Sequence, residues 1–218
     1  YIKKNKFPYV IGKIASSSNF FILKNKSHIT NEHSRKVSHL LRYQNQGILT
    51  SYKTINSDNP ELTCRINGLT KYSPIRLVVD KNLKINLNSY IIKNSNKPKT
   101  IIFHNSNNSF KIKNLKKKGI KLIRFSLDDN NYFDLNKLFK KIYEIGICNL
   151  LVECGKTLTH NIISKNLFNE FYFFKSNEIL NNKYKINILN IKNNLSMKFR
   201  NKEFINTYLD KDSLIRYY

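Results

Sequence analysis

Short apolar runs recur along the chain, separated by stretches in which apolar residues return every three or four positions. The runs are FPYVIGKIAS (7–16), GILTS (47–51), IRLVVD (75–80), TIIFH (100–104), KLIRF (121–125), CNLLVE (148–153) and EFYFFK (170–175). Unbroken β-branched runs such as IRLVV are what a strand covered on both faces needs, and such strands belong to parallel sheets flanked by helices. Pro8 stands near the start of the first run, where a missing N–H is tolerated. Between the runs, Thr30 or Asn31 can cap a helix reaching about Asn45, with Val37, Leu40 and Leu41 on one face and Gly47 ending it. Asp134 opens a second helix with the stripe Leu135, Leu138, Phe139 and Ile142, closed by Gly146. After CNLLVE, the segment CGKT turns into a third helix through about Lys165. KNSNKPK and HNSNNS read as loops, and YKINILNIK, SMKFRN and FINTYLDK near the C-terminus read as short strands and hairpins. Strands alternating with helices predict an α/β fold with a mainly parallel central sheet and antiparallel additions near the C-terminus.

Composition narrows the class. The 218 residues are 40% hydrophobic, enough for a core, and no run approaches the roughly 18 apolar residues a membrane helix requires. The first residues, YIKKNKFPYV, carry neither an initiator Met nor an apolar signal core, and read as a chain cut from something longer. Cys64, Cys148 and Cys154 are odd in number and lack C-x-x-C spacing, so we expect reduced thiols in a cytoplasmic protein, with no disulfide frame and no metal site. The net charge of +25 invites a nucleic-acid reading. The lysines, however, are spread along the whole chain, and the richness in Lys, Asn and Ile is what an AT-rich codon usage produces. We therefore expect no nucleic-acid partner, since dispersed charge carries no specific function.

Candidate chemistry collects where α/β sheets bind ligands, at the carboxyl ends of the strands. Lys13 lies in the first strand; Thr54, Asp58 and Arg65 follow GILTS; Asp80 ends IRLVVD; Glu153, Gly155, Lys156 and Thr157 follow CNLLVE; and Arg42 projects from the end of the first helix. Each has a plainer account: Lys13 as an edge-strand lysine, Asp58 as the start of an Asx-type turn with Asn59-Pro60, Arg42 as a complement to a helix C-terminus, Asp80 as a turn residue, Glu153 as a helix cap. His28, His33, His39, His104 and His160 show no ligand spacing and are assigned solvated or core roles. The GKT at 155–157 is not a P-loop, because Leu150 stands where that motif needs its first Gly. What remains is a glycine turn entering a helix, whose free N–H groups seat a phosphate or pyrophosphate.

In order along the chain, FPYVIGKIASS, SRKVSHLLR, ILTSYKTINSDNPELTCR, PIRLVVD and LLVECGKTL resemble the reductase domain of the bifunctional riboflavin-biosynthesis deaminase–reductase family. The resemblance implies a dihydrofolate-reductase-like three-layer α/β/α fold, one reductase domain over residues 1–218, and NADPH-dependent reduction of 5-amino-6-(5-phosphoribosylamino)uracil to the ribitylamino compound. It implies that Lys13, Arg42 and Arg65 hold the ribose phosphate, that Leu62 and Glu153 contact the substrate, and that Lys13 and Asp58 are the catalytic pair. It further implies that Ala15, Thr54 and Asp58 line the nicotinamide end, that the turn from Gly155 through Lys156 and Thr157 to Asn161 takes the pyrophosphate, and that Lys81 touches the cofactor. The family also implies a homodimer and a deaminase domain in the same or a partner chain. That domain's H-x-E and P-C-x-x-C zinc signature is absent from this sequence.

Two departures stand out. Asn19-Phe20 replaces the family's Asp-Gly, and Lys26-Ser27-His28 replaces Ser-x-Trp, which puts His28 where the family's Trp packs near the cofactor. The competing enzyme reading is another reductase of this fold acting on a pterin or related heterocycle. A pterin without phosphate has no use for the cations Lys13, Arg42 and Arg65.

Overall fold

The computed structural model describes residues 5–23, 28–181 and 185–218. The chain forms β1 (Tyr9–Ser16), β2 (Phe21–Leu23), α1 (Glu32–Gln44), β3 (Gly47–Ser51), α2 (Tyr52–Asp58), a 3-10 turn (Thr70–Tyr72), β4 (Ile75–Val79) and α3 (Tyr90–Lys93). It continues through β5 (Thr100–His104), α4 (Ser109–Lys117), β6 (Lys121–Arg124), α5 (Leu135–Glu144), β7 (Asn149–Val152), α6 (Lys156–Ser164), β8 (Glu170–Lys175), β9 (Lys185–Asn187), α7 (Leu189–Lys198), β10 (Lys202–Phe204) and β11 (Ser213–Tyr217).

Nine strands make one sheet in the order β10-β11-β8-β1-β7-β3-β4-β5-β6. From β8 to β6 every pairing is parallel, and β11 and β10 add antiparallel strands at one edge. This is the expected mainly parallel α/β sheet with antiparallel C-terminal strands. Alternate residues of the central strands feed two cores. On one face Val10, Leu49 and Phe173 pack under α5, α6 and α7, through Leu138, Ile162 and Ile191. On the other, Ile48, Val78 and Ile102 pack under α1 to α4, through Leu41, Ile55, Ile91 and Leu115. Burying both faces is why the strands read as continuous apolar runs.

Several local expectations are corrected. Gly47 does not end α1; the helix stops at Asn45, which is extended, and Gly47 begins β3. Leu40 is 41% exposed, while Ser34, Ser38 and Leu41 form the buried face. The segment read as strands and hairpins around YKINILNIK and SMKFRN holds helix α7 after a three-residue β9. Its buried residues Ile188, Ile191 and Leu195 have helical spacing, which the local alternation Ile186–Ile188 disguises. Helix α2 lies in a stretch for which the sequence predicts no element, and α4 follows HNSNNS unannounced. Asn108 caps α4 by accepting from Lys111 N–H at 2.9 Å, and Leu115 is its single buried residue. Lys26 and Ser27 lie outside the described residues.

Gly12 sits on β1 where an added Cβ would overlap the Phe171 ring and lie 2.8 Å from Phe168 Cε1. Those two rings pack edge to face, their centroids 5.1 Å apart. We expect Gly12→Ala to destabilise the fold by about 1–3 kcal/mol through overpacking, read as a lower urea midpoint with an unchanged slope.

Candidate active site

The carboxyl ends of β1, β7 and β3 open on a cavity of about 280 Å³. The register explains its chemistry. Gly12 and Leu49 both pair with Val152, so the next residues, Lys13, Glu153 and Thr50, fall in one row across three adjacent strands. Lys13 is therefore not an edge lysine, because β1 is paired on both sides.

Arg42, near the end of α1, reaches over this row. Its Nε donates to Glu153 Oε1 at 2.8 Å and its Nη2 to Glu153 Oε2 at 3.0 Å, the two-pronged geometry only a guanidinium offers. The side chains are 12% and 13% exposed. Its Nη1 donates to the Thr63 carbonyl at 3.2 Å. Arg42 therefore does more than complement its helix, and Glu153 caps none: Gly155 is the N-cap of α6 and no side chain caps that end.

Burial pushes the Glu153 carboxyl up, but the charges of Arg42 and Lys13 with Arg42's hydrogen bonds outweigh it and bring the pKa down to about 2. Burial pulls the Lys13 ammonium below its ordinary value; Arg42 adds to this, and Glu153 opposes it. Among the described residues no hydrogen-bond acceptor meets Lys13 Nζ, which stands 5.3 Å from the centre of the Phe174 ring. A cation of lowered pKa, next to a carboxylate and open to a cavity, is an arrangement suited to proton transfer.

Helix α2 supplies Thr54 and Asp58 to the cavity wall. Ser51 caps it, accepting from Thr54 N–H at 3.4 Å. Asp58 is its last residue, and the turn that follows belongs to Asn59: its φ is +46°, its N–H donates to Ile55 O, and its Oδ1 accepts from Tyr90 N–H at 2.7 Å. This corrects the Asx-turn account of Asp58 and leaves that carboxylate on the cavity. The loop then brings in Leu62, 3% exposed and held at φ +56°. Left-handed backbone at a non-glycine residue is strain of the kind stored at functional sites. Arg65, half-exposed at the mouth, makes a loose 3.4 Å contact to Glu61.

Ala15, His28 and Gly155 complete the expected set lining the cavity. Burial, then the charges of Arg35, Arg65 and Lys13, lowers the pKa of His28. Lys81, Lys156 and Thr157 lie outside the lining. Lys81 Nζ donates to the Asn131 carbonyl at 2.9 Å, and Lys156 and Thr157 form the first turn of α6. Asp80 is a turn residue, its carboxylate accepting from Lys84 and Ile85 N–H at 2.8 Å each.

The α6 end fits the pyrophosphate of a dinucleotide. Its first N–H groups have no side-chain acceptor, and the nearest atom to a Cβ built on Gly155 is Thr54 Oγ1 at 3.8 Å, so the approach is open. Among the described residues, no His, Cys, Asp and Glu cluster could hold a metal, and no helix is long and apolar enough to cross a membrane. The three cysteines are free; burial raises the Cys154 thiol to about 12.

Of the basic side chains lining the cavity, Arg35 was not singled out from the sequence and His39 was given only a solvated or core role. Arg35 Nη1 donates to the Thr30 carbonyl at 2.7 Å, and His39 is buried against the Thr63–Arg65 backbone. The signal was available: 35, 39 and 42 are spaced four and three apart, one side of a helix.

A family model described as the RibD C-terminal domain matches residues 9–180. A riboflavin biosynthesis protein RibD of Aquifex aeolicus (strain VF5) is 28% identical over 179 residues, covering 82% of this chain and 48% of that protein. A Buchnera aphidicola subsp. Acyrthosiphon pisum (strain APS) protein named 5-amino-6-(5-phosphoribosylamino)uracil reductase is 27% identical over 189 residues, covering 79% of this chain and 88% of that one. The solved structure of Acinetobacter baumannii RibD, form 1, shares the fold with a TM-score of 0.77 at 17% identity, covering 99% of this chain and 59% of that one. The chain spans about half the length of the RibD proteins of Aquifex aeolicus and Actinobacillus pleuropneumoniae that it matches.

Proposed function

The chain belongs to the RibD C-terminal domain family, and on that premise we propose that it reduces 5-amino-6-(5-phosphoribosylamino)uracil to its ribitylamino counterpart, with NADPH, in riboflavin biosynthesis. The observation that carries this reading is one cavity holding Lys13, the Arg42–Glu153 pair and Arg65, beside the uncapped start of α6. NADPH, when bound, supplies the hydride that C1′ of the opened ribose receives at its imine level.

The chain's own groups do the rest. Lys13, with its lowered pKa, supplies the proton that the substrate nitrogen gains as C1′ is reduced. Glu153 stays ionised and accepts from ribose hydroxyl or uracil N–H groups, held in aim by Arg42. Arg65 takes the phosphate at the mouth; Arg42, with both prongs on Glu153, adds charge to that end more than hydrogen bonds. Ala15, Thr54 and Asp58 border the nicotinamide end, with the Gly155–Thr157 turn on the pyrophosphate and Lys81 further along the cofactor. The grouped cations favour a phosphorylated substrate over a plain pterin. The same premise makes residues 1–218 one reductase unit of a cytoplasmic homodimer, fed by a deaminase in the same or a partner chain.

The test is NADPH oxidation by the purified protein on the deaminated phosphoribosylamino pyrimidine. Turnover with this substrate, and none with dihydrofolate, is expected. Folded protein that binds a pterin tightly and leaves the pyrimidine untouched overturns the reading.

A further inference from the structure

His39 lies on α1 one turn before Arg42 and is 9% exposed, wedged between that helix and the loop carrying Arg65. Three groups crowd its Nδ1. The Arg65 backbone N–H is 3.3 Å away, Arg42 Nη1 is 3.5 Å away, and the Thr63 carbonyl oxygen is 3.1 Å away. Both nitrogens can only donate. The Thr63 oxygen already accepts from Arg42 Nη1 at 3.2 Å. If Nδ1 carried a proton it would give Thr63 a second donor and leave the Arg65 N–H with none. If Nδ1 is bare, the Arg65 N–H and Arg42 Nη1 both find an acceptor and the Thr63 oxygen keeps its bond from Arg42, and buried N–H groups are rarely left without one.

We propose that His39 is a positioning residue for the phosphate end of the site, working as a neutral imidazole protonated on Nε2, whose bare Nδ1 anchors the Arg65 backbone beside Arg42. The inference rests on the function proposed above and deepens it. Among the described residues, Arg65's side chain has only the loose 3.4 Å ion pair with Glu61, so its place at the mouth depends on its backbone. That backbone follows a strained residue, Leu62 at φ +56°, and is tied by Cys64 N–H to Ser73 Oγ at 3.0 Å and by Arg65 N–H to His39. The charged groups facing the ring are Arg42 from its own helix, Arg65 from the loop and Glu153 from the end of β7. Burial and then the two guanidiniums bring its pKa down to about 4, with the Thr63 carbonyl and Glu153 opposing. The ring is thus neutral between about pH 5 and 8, and the Arg65 anchor does not change with pH across that range.

Two experiments test this. Nitrogen-15 NMR of the imidazoles is expected to show His39 neutral and protonated on Nε2 from about pH 5 to 8; an Nδ1-protonated or charged ring in that range overturns the proposal. His39→Leu keeps the volume and removes the acceptor, His39→Asn puts an amide oxygen near Nδ1, and His39→Gln reaches toward Nε2 instead. In the Leu variant we expect KM for the phosphorylated substrate to rise about tenfold with kcat changed less than about threefold. NADPH affinity should hold, Asn should recover most of the loss, and Gln should not. Equal losses with phosphorylated and dephosphorylated substrate, or failure of Asn to rescue a folded protein, overturn it. If the wild type does not turn over the pyrimidine at all, the proposed function fails on its own. The tautomer, and ribose 5-phosphate binding by wild type against the Leu and Asn variants, then still decide the role of His39.

Discussion

Arg42→Met is expected to lower the unfolding free energy at pH 7 by about 3–5 kcal/mol, because it removes one partner of a buried pair and strands the other. Glu153 is only 13% exposed and accepts both of Arg42's prongs, so without Arg42 the main cation left acting on it among the described residues is Lys13. Equilibrium urea unfolding measures the loss. The pH dependence follows from the same pair. The Glu153 pKa is about 2 in the folded state, against about 4.3 in an unfolded chain. A depressed carboxyl stabilises the fold fully above its unfolded value, and that stabilisation fades as pH falls through the folded value. For Glu153 this is of order 3 kcal/mol, lost between roughly pH 4.5 and 2. Arg42→Met should flatten the stability curve in that window, because the carboxyl it leaves behind titrates at higher pH. The double variant Arg42→Met, Glu153→Leu should recover most of the stability, since an apolar pair of similar volume often matches a buried ion pair. It should recover no activity. If Arg42→Met unfolds at the wild-type midpoint, the ion pair is not holding the site together.

The sheet was legible because its strands are covered on both faces, and an unbroken run such as IRLVV has few other ways to fold. Helix α5 was legible from its stripe and its Asp134 cap. The short helices were not. α2 buries only Ile55 and α4 only Leu115, so neither shows a period, and both owe their helicity to capping by Ser51 and Asn108 and to packing on the sheet. Helix α7 was hidden by Ile186 and Ile188, which alternate as in a strand before the helical spacing takes over.

At the site, most of the residues named from the sequence line one cavity, but their partners were not legible. Lys13 and Glu153 are 140 positions apart, and only the register of β1 against β7 makes them neighbours. The two-pronged Arg42–Glu153 contact depends on where α1 crosses the sheet, which no local pattern encodes. Arg42 looked like a phosphate ligand equal to Arg65, and its commitment to Glu153 separates the two. Arg35 was given no role and His39 was weighed only alongside the other histidines, although their spacing with Arg42 already placed all three on one side of α1.

Arg65→Ala is expected to raise KM for the phosphorylated substrate by about one to two powers of ten. A phosphate carries about two negative charges, and a charge-assisted hydrogen bond to it is worth roughly 1.5–3 kcal/mol. Arg65 is the cation at the mouth whose guanidinium is least committed. Its side chain is 43% exposed, and its one ion pair among the described residues, to Glu61 at 3.4 Å, is too long and too wet to hold it. The substitution should leave folding and NADPH affinity nearly unchanged, because the backbone N–H that anchors the loop to His39 remains. Arg65→Lys should recover only part of the loss, since an ammonium lacks the planar fork. The competing account makes Arg65 a brace for its loop through Glu61. In that case Glu61→Gln would reproduce the defect, the melting temperature would fall, and a dephosphorylated substrate would suffer as much as the phosphorylated one. Steady-state kinetics of both substrates on the Arg65 and Glu61 variants separate the two accounts: a penalty confined to the phosphorylated substrate and to the Arg65 variants assigns the residue to the ligand, and a shared penalty assigns it to the loop.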